Sequence, residues 1–79
     1  MARGQEKIWN DPIAQVYNGK YGRIGIGLCY KIVHTFGDTK YSQDFCKWIA
    51  DKRKTEKTWN ISWDDMVMQF NAQRILNYN

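Results

Sequence analysis

His34, Cys29 and Cys46 are the residues of this chain that could supply a thiol nucleophile with a base. Such chemistry needs the thiol held directly against the imidazole. Five positions separate Cys29 from His34, an odd offset that places them on opposite faces of an extended strand, and nothing in the spacing brings Cys46 to His34. The same three residues fall one ligand short of a closed zinc site. Asp64 and Asp65 are the other pair that invites an ion or acid-base role. Adjacent helical side chains point about 100° apart, so the two carboxylates do not converge, and after Ser62 they suit the first turn of a helix. The sequence predicts no enzyme, no cofactor and no metal site.

Glycines at 19, 22, 25 and 27 interleave with Lys20 and Arg23. A phosphate loop or dinucleotide fingerprint needs another order, between a strand and a helix. Gly19-Lys20-Tyr21-Gly22 does match the G-x-x-G loop with which KH modules clamp a nucleic-acid backbone. That loop joins two helices, whereas Asn18-Gly19 signals a hairpin, so these glycines are expected to serve turns and close packing. An exposed turn would add Lys20, Tyr21 and Arg23 to a basic surface.

Charge carries the strongest signal. Between Lys47 and Lys57 lie five of the twelve basic side chains, Lys47, Lys52, Arg53, Lys54 and Lys57, against two acids, with Trp48 and Trp59 at the margins. The chain has a net charge of +4 and a pI near 9.2. The excess is polarised, because residues 58–79 hold one base and two acids. Such a segment offers charge to phosphates and rings for stacking. Its structural alternative is that Lys52, Arg53 and Lys54 complement the dipole at a helix C-terminus. The expected partner is a DNA or RNA backbone, gripped non-specifically by Lys47, Lys52, Arg53, Lys54 and Lys57, extended by Lys20, Arg23 and Lys40, with Trp59 as the ring free to stack. No helix-turn-helix, zinc-finger or RNA-recognition signature accompanies the charge. The alternative is a protein-interaction module, of the kind that phages or mobile elements use as inhibitors docking on a host enzyme or nucleoprotein complex, motivated by the wealth of Trp, Tyr, Met and Arg.

At 79 residues the chain reads as one domain, with residues 1–7 frayed and Ile8 and Trp9 docked on it. Such a length buries only about 60 to 65% of its unfolded surface, so four Trp, five Tyr and three Phe are needed first as core. Two cysteines without C-x-x-C spacing read as reduced, buried thiols. The N-terminus has no apolar signal region and Ile24–Val33 is too short to cross a bilayer, which together predict a cytoplasmic protein without a membrane.

The elements that must position these residues are expected as follows. Asn18-Gly19 predicts a type I′ hairpin, and Ile24, Ile26, Leu28, Tyr30 and Ile32 alternate at period two, as in a strand. Ile24, Leu28 and Ile32 also fit a helical stripe with Gly37 as its cap, but that helix would carry Gly25 and Gly27 inside. Helices are predicted at about 42–54, capped by Ser42 or Asp38, and at 62–77, with Met66, Val67, Phe70, Ile75 and Leu76 on its apolar arc. Pro12 suits the first position of a helix or the start of an edge strand. The architecture expected is α+β, a hairpin or small antiparallel sheet packed by two helices, with a three- or four-helix bundle as the alternative. An edge strand at Ile13–Tyr17 would make a homodimer by strand pairing.

Overall fold

A computed structural model describes residues 8–77, and the expected fraying of residues 1–7 lies outside them. Among the described residues the fold is four helices and no strand: α1 (Pro12–Lys20), α2 (Ile26–Phe36), α3 (Lys40–Thr55) and α4 (Trp63–Asn77). The α+β expectation is thereby corrected to an all-α architecture, the alternative reading. No helix among the described residues is long and apolar enough to cross a membrane.

Three local features overturn the sheet. Pro12 opens α1 at a position where a missing N–H costs nothing, and the Asp11 carboxylate caps the helix by accepting from the Ala14 N–H at 2.9 Å. Ile13–Tyr17 is therefore helical and offers no edge for a twin. Asn18-Gly19 falls inside the last turn of α1 rather than in a hairpin, and the chain reverses at residues 21–25. There Gly22 and Gly25 take φ of 84° and 122°, the left-handed region where a side chain is strained. Gly25 is the N-cap of α2 and Gly27 sits in its first turn, so neither interrupts the helix interior. The cost that argued against this helix is largely absent. The alternation of residues 24–32 is not kept in the helix: α2 buries Cys29, Ile32 and Val33, while Ile26, Leu28 and Tyr30 are only half-buried.

The other helices stand near their expected places. Thr39 caps α3, its hydroxyl accepting from the Ser42 N–H at 3.4 Å, while buried Ser42 donates to the Gly37 carbonyl at 2.6 Å. This corrects the expectation of Ser42 or Asp38 as the cap. Ser62 caps α4 by accepting from the Asp65 N–H at 3.2 Å, with Asp64 and Asp65 in the first turn. Met66 and Phe70 are buried, but Ile75 is 69% exposed and leaves the apolar arc. Trp9, also expected to dock, is 58% exposed.

The core forms where α3 meets the other helices. Phe45 is completely buried and holds the ring of Phe70 stacked at 4.7 Å and that of Trp63 at 5.7 Å. Phe36, Tyr41 and Trp48 surround it, each with its centroid at 6.0 Å. Cys29 and Cys46 are buried, unbridged thiols at the α2–α3 seam.

Candidate functional site

The reversal after α1 delivers its basic residues to α3. Tyr21 N–H donates to the Tyr17 carbonyl at 2.9 Å and Arg23 N–H to that of Asn18 at 2.7 Å, closing the end of α1. The Asn18 side-chain oxygen then accepts from the Gly25 N–H at 2.9 Å. These bonds hold Arg23 at φ 55°, a left-handed conformation that costs a non-glycine residue roughly 1–2 kcal/mol. A Cβ on Gly22 would lie 3.6 Å from that of Ala50, so the turn rests directly on α3. Across the seam the Arg53 guanidinium donates through Nη1 to the Ile24 carbonyl, while the Ile24 side chain is buried.

The result is a cleft of about 760 Å³ between the turn and the C-terminal half of α3. Lys20, Arg23, Lys47, Arg53 and Lys54 line it against a single acid, Asp51. Five of the nine residues expected to bind thus come together from three places in the sequence. The remaining four do not line this cleft. Lys52 pairs with Glu56 at 3.1 Å and lies 6.0 Å over the Trp48 ring. Lys40 pairs with Asp44 at 3.1 Å, in an adjoining depression of about 590 Å³ that shares Lys47 and Asp51 with the cleft and includes Tyr41, Trp48 and Arg74. Trp59 is half-buried, edge-on to Trp48 at 5.5 Å, and Lys57 is exposed on the α3–α4 connection.

Sequence reasoning missed two features of this site. Asp51 sits among the cations, and Arg53 works partly inward as the clasp on Ile24. A helical wheel of residues 47–54 puts Lys47, Asp51 and Lys54 on one side; the tie to Ile24 leaves no signal in sequence, because 29 residues separate its ends. The G-x-x-G segment also differs from expectation. It closes α1 and leads into α2, the helix-to-helix junction that the hairpin reading denied it, without a sheet among the described residues.

Beside the cleft, Tyr17 donates its hydroxyl to Asp38 at 2.5 Å. Burial, and then the Asp38 carboxylate, push the Tyr17 hydroxyl well above its ordinary range. An unfolded tyrosine ionises near pH 10, whereas the folded one stays neutral beyond it. Its contribution is therefore complete below about pH 10 and is lost as the pH rises further. In urea unfolding between pH 7 and 11, the margin of wild type over Tyr17→Phe should hold to about pH 10 and then shrink; a margin that is constant or growing contradicts the assignment.

His34 is engaged with Asp11 at 2.8 Å and with the Tyr30 ring at 4.1 Å. The Ala14 N–H, with His34, holds the Asp11 carboxyl below the usual carboxylate range. The Cys29 thiol contact and burial push the Cys46 thiol up, which suits an inert core group. No group of three potential metal ligands gathers among the described residues. The chain matches no protein-family profile, no curated protein and no solved structure.

Proposed function

We propose that this protein is a small basic domain that binds the phosphate backbone of nucleic acid without sequence specificity. The observation that carries the reading is the convergence of Lys20, Arg23, Lys47, Arg53 and Lys54 on one cleft. Cations drawn from a turn and a separate helix concentrate positive potential on one surface, which attracts a polyanion. A reducing cytoplasm fits the two unbridged thiols. No reaction is assigned, because the cleft holds charge without a nucleophile paired to a base.

Binding to labelled oligonucleotides, followed by fluorescence anisotropy between about 50 and 200 mM salt, tests this proposal. Five cations against Asp51 leave four net charges in the cleft, which set the expected count. They give a slope of log K against log salt near −3.6 on duplex or −2.8 on single strands, which is roughly a 150-fold or 50-fold loss over that range. No binding at 50 mM salt would reject the proposal and turn attention to the protein-interaction alternative.

A further inference from the structure

We infer that the groove beside the basic cleft is a nucleobase subsite, so that the nucleic acid bound is single-stranded. This inference rests on the backbone-binding reading above. The groove, of about 300 Å³, runs between α1 and the start of α3 and is walled by Pro12, Ile13, Val16 and Tyr21, with Asp38 and Gln43 as polar groups. Lys20 and Tyr21 line both the groove and the cleft, so the two cavities meet at one cation and one ring. The Lys20 ammonium lies 5.4 Å over the Tyr21 ring.

That juxtaposition matches the chemistry of an unpaired nucleotide. A strand whose phosphates follow Lys47, Lys54 and Arg23 toward Lys20 has its next base beside an apolar wall and an aromatic face. Single-strand binders combine these two ingredients, a positive track and a ring on which a base stacks. A paired base is already stacked within its duplex and cannot enter. Ile13 and Val16 remain 39% and 63% exposed, on the outer side of a helix whose Ala14 and Tyr17 are buried. A base would cover part of that apolar surface.

The polar end of the groove adds a preference. One oxygen of Asp38 accepts the Tyr17 hydroxyl, and a carboxylate can only accept further hydrogen bonds. A base presenting an exocyclic amine, such as cytosine, gives it an N–H donor at the rim of the ring, whereas the one donor on the corresponding edge of thymine, N3–H, is flanked by two carbonyl oxygens that repel a carboxylate. Amino-bearing bases are therefore favoured over thymine or uracil. Deoxy- and ribo-strands share this chemistry.

The test compares fluorescent ten-nucleotide strands at 50 mM salt: oligo-dC, oligo-dT, oligo-rC and a strand of abasic deoxyribose phosphates. The expected result is oligo-dC about tenfold tighter than the abasic strand, with oligo-dT between them. Tyr21→Ala should remove most of that difference, beyond whatever it costs the abasic strand through the cleft that Tyr21 also lines. Val16→Gln, a neutral change at an exposed helical position, should narrow it without affecting the fold. Ribo- and deoxy-cytidine strands that both outbind the abasic strand show a shared base subsite, and one that does so alone assigns the sugar. Equal affinities and equal salt slopes for abasic and base-bearing strands overturn the subsite and leave backbone binding standing. Absence of binding to every strand overturns both and leaves the groove to a protein partner.

Discussion

Replacing Phe45 with alanine is expected to destabilise the protein by about 3 to 5 kcal/mol, the usual range for a buried phenylalanine truncated in a core. A domain of this size has a total stability of about 4 to 12 kcal/mol, so the loss takes away from about a quarter to the whole of it. The effect is large because Phe45 is completely buried and its neighbours belong to separate elements: Phe36 on α2, Tyr41 and Trp48 on α3, Trp63 and Phe70 on α4. Removing the ring leaves those faces without a partner, and two helices lose their common contact with α3. Circular dichroism during urea titration provides the check, with Met68→Ala as the comparison, since Met68 is 62% exposed and should change stability by less than about 0.5 kcal/mol. A Phe45→Ala loss below about 1 kcal/mol would mean that the core is centred elsewhere.

The second large effect concerns binding. The triple substitution Lys20→Glu, Lys47→Glu and Lys54→Glu turns a cleft of five bases and one acid into one of two bases and four acids. Affinity for an oligonucleotide at 50 mM salt should fall more than about 100-fold, since three phosphate contacts become repulsions. All three lysines are exposed, but Lys20 and Lys54 stand in the last turns of α1 and α3, where a glutamate opposes the helix dipole, so the thermal midpoint is expected to fall by some degrees and binding is compared well below it. Arg53 is left in place because it secures the Ile24 carbonyl. Reversal of Lys40, Lys52 and Lys57, which do not line the cleft, serves as the control of equal charge. Equal losses in both triple variants would show that net charge, and not the cleft, governs binding.

Much of the organisation was legible from local signals. Ser62 followed by two acids marks the start of α4, and the recurrence of Tyr41, Phe45, Trp48 and Ile49 marks the face of α3, because capping and helical periodicity act within a few residues. The basic character of Lys47–Lys57 is likewise plain in composition. The segment between Ile13 and Val33 was ambiguous for a physical reason. Ile24, Leu28 and Ile32 satisfy periods of two and of 3.6 together, and Asn-Gly serves a hairpin or the end of a helix equally well. What chose between them was the helical start at Asp11-Pro12, with the Asn18 side chain reaching forward to Gly25.

The sequence by itself determined a small, basic, aromatic-rich domain with two C-terminal helices. Only the tertiary structure decided which cations act together. Lys20 and Arg23 reach Lys47 and Lys54 because Gly22 packs on Ala50 and Arg53 holds the Ile24 carbonyl. Lys40 is directed to Asp44 and Lys52 to Glu56. Contacts across 29 residues of chain follow from how helices pack, and no spacing rule along the sequence encodes them.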